Sequence, residues 1–394
     1  MHIGFAGPIS LDPLSDRLGC VPPETYAVTY TGQLVRMWLE QGHRVTVFAV
    51  SREVSERWVH EAGALTLVLV PVRQRARHYL RDFFREERAA LASAMREHPA
   101  DVISAHWTYE FALAAVQSGL PAFVTAHDAP LRCAWEEGIR PFRWLRNSLA
   151  LPAVHRATAL SGVSPYTARH LRRVLRAPGQ VRVIPNGVRL AALPTAPPVR
   201  PTDAPVFATV LNGWGPLKNG QAALRAFGRV RTALPEARLL MFGDGFAVGG
   251  PAAAWAEPRD LTAGVEFAGP TRHAELLDRI AGEVTVLVHP SRLEACPMIL
   301  LEVMGVGVPV IAGRRSGGAP WVVADGEAGA LVDVRSAPEI AAAMLRLGRD
   351  AGLRAELAAR GRSRVRGHFD LAKVAEEYVH WFESADTTAS PSRR

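Results

Sequence analysis

The chain has 394 residues, of which 48% are hydrophobic and 21% charged, and this composition excludes global disorder and supplies apolar residues for about two to three domains. No stretch reaches the roughly 18 consecutive apolar residues of a transmembrane helix, and Met1–Gly4 lacks a charged leader, so we expect a cytoplasmic protein. The formal net charge is +8, and all of the excess lies in residues 1–200, which hold 24 basic and 16 acidic side chains. Such a field can attract an anionic membrane surface or an acidic substrate.

In the first half, short apolar runs alternate with helical patterns and predict a parallel sheet covered by helices on both faces. The predicted strands are Met1–Ala6, Arg44–Val50, Ala64–Val70, Asp101–Ser104 and Ala122–Ala126. Helices are predicted over Thr29–Gln41 and Leu80–Met95, where apolar residues recur at helical spacing.

Prolines interrupt this pattern between Ile184 and Pro205, which predicts an interdomain linker at 191–205 that can act as a hinge. The alternation then restarts. Its predicted strands are Val206–Leu211, Arg238–Phe242, Val265–Ala268, Val284–Val288 and Val308–Ala312, and its predicted helices include Gln221–Thr232, Ala274–Ala281, Pro338–Leu347 and Ala351–Arg366. We therefore predict an α/β chain with Rossmann-like domains at 1–190 and 206–368. A helix at 369–386 is expected to pack back on the first domain, followed by a disordered tail at 387–394.

Ligands bind at the carboxyl ends of parallel strands, which draws attention to the segment after Val284–Val288. Pro297 predicts a helix start there, since proline suits the first helical position. Three free backbone amides would then be able to bind an anionic phosphate, namely those of Met298, Ile299 and Leu300. Glu294 precedes this start and Glu302 lies within the helix, so the two carboxylates can accept hydrogen bonds from hydroxyls on opposite sides of a phosphate. That arrangement is typical of a nucleotide-sugar site.

The stretch from His289 to Gly318 resembles the retaining glycosyltransferases of family 4, which have the GT-B fold. Further segments match the family in the right order: Gly42-His43, Ala105-His106, Thr125-Ala126-His127-Asp128, Gly162-Val163-Ser164, Ile184-Pro185-Asn186-Gly187-Val188, Lys218-Asn219 and Gly243-Asp244-Gly245. The resemblance covers about residues 1–385. It implies two Rossmann-like domains whose parallel sheets face each other across a cleft, and hexose transfer with retention of the anomeric configuration.

The resemblance also assigns roles to individual residues. Glu294 would bind hydroxyls of the donor sugar, Glu302 the ribose and Lys218 the diphosphate. His127 would contact the sugar from the first domain and act with Glu294 and Lys218 in catalysis. The remaining expected contacts are Asn212 and Gly213 on the donor side, and His106, Asp128 and Thr25 on the acceptor side. The donor would be a UDP- or GDP-linked sugar bound as a substrate. We expect no cofactor and no metal, since the sequence contains neither a DxD nor an HExxH motif.

Three positions depart from the family pattern. Gly213 stands where the family has an arginine that holds the diphosphate, and Trp321 stands where it has a glutamate. In the first strand–helix loop, Pro22-Pro23-Glu24-Thr25 replaces a pair of glycines. Phosphate binding would therefore depend on Lys218 and the predicted helix start.

Other functions stay open at this point. A GT-B-fold nucleotide-sugar epimerase would need acids and bases beyond Glu294, His127 and Asp128, and a non-catalytic partner protein could keep the fold. A nicotinamide oxidoreductase is disfavoured because Gly4-Phe5-Ala6-Gly7 is not a GxGxxG motif. Nucleic acid is disfavoured as a partner because the arginines at 73, 75 and 77 have no interleaved aromatic residues. The expected acceptor is a hydroxyl of a glycan, a lipid or a small molecule.

Overall fold

The computed structural model describes residues 1–26, 28–74, 78, 81–136, 138, 141–195 and 204–386. These residues form two compact units. The first comprises Met1–Gly187 and the chain from Leu371 onward, and the second comprises Val188–Asp370. The predicted tail at 387–394 and most of the predicted linker, residues 196–203, lie outside the described residues.

An eight-stranded sheet forms the centre of the first unit, in the order β3-β4-β2-β1-β5-β6-β7-β8. Its strands are β1 His2–Ala6, β2 Arg44–Ser51, β3 Trp58–Ala62, β4 Leu65–Pro71, β5 Val102–His106, β6 Ala122–Ala126, β7 Ala159–Gly162 and β8 Val181–Val183. Neighbouring strands pair in parallel except β3, which pairs antiparallel with β4 at the edge. The inner strands are buried along nearly their whole length because helices cover both faces of a parallel sheet.

Helices connect these strands. They are α1 Ser15–Leu18, α2 Thr29–Glu40, α3 Arg85–Glu97, α4 Glu110–Ser118, α5 Pro130–Glu136, α6 Pro141–Ser148, α7 Ala150–Arg156 and α8 Pro165–Arg173. We predicted that this helix starts at Leu80, but α3 starts at Arg85, so the predicted start was wrong. Phe83 and Phe84 have φ of 55° and 60°, a left-handed conformation that a right-handed helix excludes. Leu80 itself lies outside the described residues.

The second unit has a six-stranded sheet, every pair of which is parallel, in the order β11-β10-β9-β12-β13-β14. Its strands are β9 Val206–Val210, β10 Arg238–Phe242, β11 Val265–Gly269, β12 Val286–Val288, β13 Val310–Gly313 and β14 Ala330–Val332. Its helices are α9 Gly220–Ala233, α10 Pro251–Ala256, α11 His273–Glu283, α12 Met298–Val306, α13 Ala319–Val322, α14 Ala337–Arg349 and α15 Ala351–His368. Short 3-10 helices occur in both units, at Asp12–Leu14, Leu190–Ala192, Glu257–Arg259 and Ala324–Gly326.

The last helix, α16 Leu371–Asp386, belongs to the first unit and packs on α2. The Trp38 indole N–H donates to the Ala375 carbonyl at 3.2 Å, and the Gln41 side-chain amide donates to the Ala372 carbonyl at 3.1 Å. The Trp38 ring meets the Tyr378 ring edge-on at 5.9 Å. In the part of the chain that the structure describes, no helix combines the length and the hydropathy that crossing a bilayer would require.

Candidate functional site

Two loops of the second unit bring Lys218 and Glu294 together. Lys218 follows β9 and Glu294 follows β12, and because these strands are parallel neighbours, their carboxyl ends share one edge of the sheet. Lys218 Nζ donates to Glu294 Oε1 at 2.8 Å. The imidazole Nε2 of His289, which is 3% exposed, lies 3.3 Å from the same oxygen. The predicted Lys218 and Glu294 therefore meet, whereas His289 was missed although it opens the segment that carries the family resemblance.

The charge state of Glu294 follows from these neighbours. Burial alone would raise the pKa of its carboxyl group, but the Lys218 ammonium and the nearby His289 imidazole outweigh burial and hold that pKa well below its usual range. Glu294 is therefore a carboxylate that accepts hydrogen bonds and cannot donate a proton near neutral pH.

Asn219 connects the two loops. It begins α9 with a left-handed φ of 57°, and its side-chain amide donates to the carbonyls of Pro290 at 3.1 Å and Val334 at 2.7 Å. The Arg292 N–H donates to the Leu217 carbonyl at 2.8 Å. These bonds hold Lys218 beside the Glu294 loop. Sequence reasoning quoted Asn219 only as the residue after Lys218, and a buried amide in a polar loop is the signal that could have identified it.

Helix α12 begins next to Glu294, as predicted, but its first turn differs in one respect. Pro297 is the residue before the helix, with ψ of 112°, so Met298 is the first helical residue. The Leu300 amide donates to the Pro297 carbonyl at 3.1 Å, and the prediction that Leu300 offers a free amide was therefore wrong. The amides of Met298 and Ile299 remain at the helix end, where helical geometry gives them no partner.

Glu302 lies in α12 and is bonded to His273, the first residue of α11. The distance between His273 Nε2 and Glu302 Oε1 is 2.8 Å. This hydrogen bond outweighs burial and raises the pKa of His273. The predicted ribose contact is thus a partly buried carboxylate with a histidine partner that the sequence reasoning did not identify.

The conformation of the loop after β9 partly explains why Gly213 stands where the family pattern has an arginine. Gly213 has φ of +97°, a region that favours glycine, and its N–H donates to the Asp244 carbonyl at 3.1 Å. Its amide is therefore used within the protein, and an arginine side chain at this position would require a different backbone. Asn212, the other predicted donor contact in this loop, is exposed.

Gly317 fits closely against Glu294. Its φ is +64°, and a Cβ atom there would lie 2.3 Å from the Glu294 carbonyl oxygen. That same oxygen accepts a hydrogen bond from the Gly318 N–H at 2.7 Å. Gly317 and Gly318 therefore both contact the Glu294 backbone carbonyl and hold it in place.

The departure at Trp321 also has a structural reason. The Trp321 ring packs edge-on against Phe369 at 5.2 Å, and the Arg364 guanidinium lies over both rings at 5.6 and 5.4 Å. Arg364 also donates to the Trp321 carbonyl at 3.1 Å. Trp321 therefore stabilises the packing of the second unit.

In the first unit, His106 and His127 lie side by side at the carboxyl ends of β5 and β6. His106 Nδ1 is 2.8 Å from His127 Nε2, and the Trp107 ring stacks on His127 at 4.3 Å. Trp107 has a left-handed φ of 64°, which turns it back over this strand end. His106 is fully buried, so the prediction that it contacts an acceptor was wrong: it lies behind His127.

Asp128 follows His127 and accepts a hydrogen bond from the Tyr109 hydroxyl at 2.9 Å. Burial and the neighbouring Asp128 raise the pKa of Tyr109, which is therefore neutral and donates. The Arg146 guanidinium lies 4.4 Å from the Tyr109 ring centre and is paired with Glu110 at 2.8 Å. This partly buried group orients Asp128, and the sequence reasoning missed its three other members.

Two further predictions concern the same unit. The Thr25 hydroxyl donates to the Ile9 carbonyl at 2.6 Å, so it holds the loop after β1. Arg73, considered above as part of a nucleic-acid patch, is paired with Asp82 at 2.9 Å and with buried Glu87. The arginines at 75 and 77 lie outside the described residues. Among the residues that are described, no group of three or more His, Cys, Asp or Glu side chains could hold a metal ion.

Comparison with known proteins agrees with this geometry. A family model described as "Glycosyl transferases group 1" matches residues 204–350, and a second, described as "Glycosyltransferase Family 4", matches residues 27–192. The chain belongs to the group 1 glycosyltransferases, family 4. The predicted family is therefore confirmed, and the matched ranges lie largely within the second and the first unit respectively.

Two curated relatives of this chain are glycosyltransferases named for different activities. The D-inositol 3-phosphate glycosyltransferase of Acidothermus cellulolyticus is 32% identical over 68% of this chain and 63% of its own length. The lipopolysaccharide core biosynthesis glycosyltransferase LpsE of Rhizobium meliloti is 29% identical over 52% of this chain and 58% of its own length. The chain thus spans about three-fifths of these relatives.

Solved structures show the same fold. The sucrose-phosphate synthase of Thermosynechococcus elongatus superposes with a TM-score of 0.79 over 99% of this chain and all of its own, at 20% identity. The predicted GT-B fold, with two Rossmann-like α/β units, is confirmed. At this level of identity the similarity shows the fold alone.

Proposed function

We propose that this group 1 glycosyltransferase transfers a hexose from a nucleotide-diphosphate sugar to a hydroxyl of a glycan, lipid or small-molecule acceptor, and retains the anomeric configuration. The observation that carries the proposal is the 2.8 Å hydrogen bond between Lys218 and Glu294. Glu294 lies four residues before Met298, the first residue of α12. A cation, a carboxylate and the free amides of Met298 and Ile299 thus lie along one stretch of structure. A sugar joined to a diphosphate needs these three kinds of group.

The diphosphate is the leaving group. Negative charge grows on its oxygen as the bond to the sugar breaks, and groups already fixed in position stabilise that charge most effectively. We assign this role to Lys218 Nζ and to the amides of Met298 and Ile299, because cations and helix starts both favour phosphate. No cofactor takes part in this scheme, and the nucleotide sugar is a substrate.

The two glutamates bind hydroxyls. Glu294 is ionised and accepts hydrogen bonds from hydroxyls of the sugar, and Glu302 accepts them from the ribose. These contacts do not involve the base, so the proposal covers both UDP- and GDP-linked donors. In the first unit we assign His127 to the transferred sugar and Asp128 to the acceptor hydroxyl.

Retention follows if the acceptor attacks from the face that the diphosphate leaves. The acceptor oxygen forms a bond to the anomeric carbon, the bond from that carbon to the phosphate oxygen breaks, and the hydroxyl proton passes to the same phosphate oxygen. Lys218 holds Glu294 in an ion pair, which suits a hydrogen-bond acceptor better than a nucleophile. We therefore propose no covalent sugar–enzyme intermediate.

The positive charge of the first half supports a contact with an anionic membrane surface. Residues 151–195 contain seven arginines and no acidic residue. Three of these arginines, Arg169, Arg172 and Arg173, are exposed on α8. Sedimentation with phosphatidylglycerol vesicles, compared with neutral phosphatidylcholine vesicles, tests this contact, and equal binding to both would contradict it.

The proposed activity is tested by incubating the protein with UDP- and GDP-linked hexoses and following the products by NMR in excess chelator. Transfer to an added acceptor, or slow hydrolysis, with a freshly formed product of unchanged anomeric configuration, supports the proposal. An inverted product, or activity that returns only when magnesium or manganese is added, contradicts the mechanism. An epimerised donor would indicate an epimerase, and absence of both binding and turnover would indicate a non-catalytic partner protein. The same assay is run on Glu294→Gln, which changes the residue that we assign to the sugar, as the matched control variant.

A further inference from the structure

The side chain of Glu302, which we assign to the ribose, has a single hydrogen-bond partner among the residues that the structure describes. This partner is His273, whose Nε2 lies 2.8 Å from Glu302 Oε1. His273 is the first residue of α11, and Glu302 is the fifth residue of α12. The two helices pack on each other, and each follows the carboxyl end of a strand, β11 and β12 respectively. The bond therefore joins two helices at the edge of the sheet where we place the donor.

The direction of this bond follows from the chemistry of its acceptor. A carboxylate only accepts hydrogen bonds, whereas an imidazole nitrogen can carry a hydrogen atom and donate it. His273 Nε2 is therefore the donor and Glu302 Oε1 the acceptor, in the neutral ring as in the protonated ring. His273 thus holds one particular oxygen of the carboxylate.

The surroundings of Glu302 show which atom remains for a ligand. The Glu302 side chain is 13% exposed, while the His273 side chain is 46% exposed. The neighbours of Glu302 along α12, Leu301 and Val303, are buried. Carboxylate oxygens that are withdrawn from water need hydrogen-bond donors, because an unmade hydrogen bond of a charged group is costly. Oε1 has its donor in His273, and Oε2 has none in the described part of the chain, so Oε2 is the atom that a ligand hydroxyl can use.

We propose that His273 is a positioning residue, which holds Oε1 of Glu302 so that Oε2 is presented in a fixed orientation to the ribose of the nucleotide. An acceptor that is already fixed loses little freedom when the ligand binds, so its hydrogen bonds contribute more to affinity. The pair makes the site selective for nucleotides that carry the ribose hydroxyls, because a nucleotide without them leaves Oε2 desolvated and unpaired. This inference rests on the proposed function, since it needs Glu302 to contact the ribose.

The test compares a nucleoside diphosphate with its 2′,3′-dideoxy analogue by isothermal titration calorimetry, using whichever of UDP and GDP binds wild type more tightly. Wild type should bind the ribonucleotide roughly 10- to 150-fold more tightly than the analogue, since the analogue makes no hydrogen bond to the carboxylate. His273→Leu should weaken binding of the ribonucleotide roughly 3- to 10-fold and change binding of the analogue by less than about twofold. The measurement needs neither an acceptor nor turnover.

Matched variants isolate the N–H group of His273. His273→Gln places an amide N–H near the position of Nε2 and should keep the wild-type preference for the ribonucleotide. His368→Leu replaces another exposed histidine of the second unit, at the end of α15, and should bind both ligands like wild type. If His273→Leu does not fold, His273→Ala removes the same donor and provides the same comparison.

The ratio of the two affinities separates positioning from a purely structural role. If His273→Leu weakens binding of the ribonucleotide and of the analogue equally, the histidine only ties the two helices together and the proposal is overturned. Unchanged binding of both ligands overturns it as well. Glu302→Gln should lose most of the wild-type preference, and in that background His273→Leu should not change the ratio further.

The same data distinguish failure of this inference from failure of the proposed function. A wild type that binds both ligands equally, together with an unchanged Glu302→Gln variant, would contradict the assignment of Glu302 to the ribose. A wild-type preference that Glu302→Gln abolishes and His273→Leu leaves intact would overturn the role of His273 alone.

Discussion

Lys218 Nζ lies 2.8 Å from Glu294 Oε1, so the two side chains that we assign to the diphosphate and to the sugar are bonded to each other. A donor that uses both must exchange this bond for two new ones: its phosphate takes the ammonium, and its hydroxyl donates to the carboxylate. Because both parts of the donor are needed for a complete exchange, the ion pair favours the intact nucleotide sugar over either fragment.

We expect Lys218→Ala to weaken binding of UDP or GDP far more than binding of the nucleoside. The difference should be about 2 kcal/mol, or roughly 30-fold, since a hydrogen bond to a charged group is lost only with the diphosphate. Isothermal titration calorimetry with UDP and uridine measures it. Lys373→Ala, which changes the other lysine of the chain, is the control and should bind like wild type. Equal losses for UDP and uridine would exclude Lys218 from the phosphate site.

The two glutamates should respond differently to the same substitution. Glu302→Gln is expected to weaken binding of the nucleotide even without a sugar, whereas Glu294→Gln should weaken mainly the intact donor. Each change removes a charged acceptor of hydroxyl hydrogen bonds and should cost about 1.5 to 3 kcal/mol, or roughly 10- to 150-fold in affinity. Calorimetry with UDP and with UDP-hexose separates the two. If both variants bind and turn over like wild type, the donor binds elsewhere.

Gly317→Ala should destabilise the second unit because its Cβ would lie 2.3 Å from the Glu294 carbonyl oxygen. Gly63→Ala is a close control: Gly63 has φ of +65° against +64° for Gly317, but a Cβ there meets no atom within 4 Å. The strained φ alone costs about 1 kcal/mol, and the contact should add roughly 1 to 3 kcal/mol at Gly317 only. Urea unfolding of both variants measures the difference. Equal losses would show that the contact with Glu294 is unimportant.

The pair formed by His273 and Glu302 should make stability depend on pH. Its hydrogen bond raises the pKa of His273 above the ordinary 6.5, so the stabilisation is complete below that value and is lost as the pH rises through the raised pKa. The free energy of unfolding of wild type should therefore exceed that of His273→Gln by more at pH 6 than at pH 9. Urea unfolding at the two pH values checks this. A gap that widens with pH would contradict the assigned pair.

Much of the fold could be predicted because buried parallel strands are continuous apolar runs. β6 was predicted with the bounds that the structure shows, Ala122–Ala126. The edge strand β3, Trp58–Ala62, was missed because its residues alternate between partly buried and exposed, so no apolar run marks it. The strand β8, Val181–Val183, has three residues and is too short for any periodicity to show.

The candidate site was predictable in its charged residues and not in its backbone details. The meeting of Lys218 and Glu294 follows from two strand ends at one sheet edge, which topology supplies. The engagement of the Leu300 amide depends on the conformation of Pro297, and a sequence pattern does not determine ψ. The burial of His106 depends on the packing of β5 against its neighbours and of α16, whose Tyr378 ring lies 5.7 Å from that imidazole.

The hydrogen bond from Trp38 to Ala375 joins residues 337 positions apart in the chain. During translation, α16 leaves the ribosome after the whole of the second unit, so most of the first unit is synthesised long before its last helix. Until α16 has been synthesised, Trp38 lacks its contacts with that helix. The same holds for Phe123, whose ring lies 5.0 Å from the rings of Trp381 and Phe382. The second unit is one continuous stretch and can fold once residue 370 has emerged. The unit that is synthesised second is therefore the first whose polypeptide is complete.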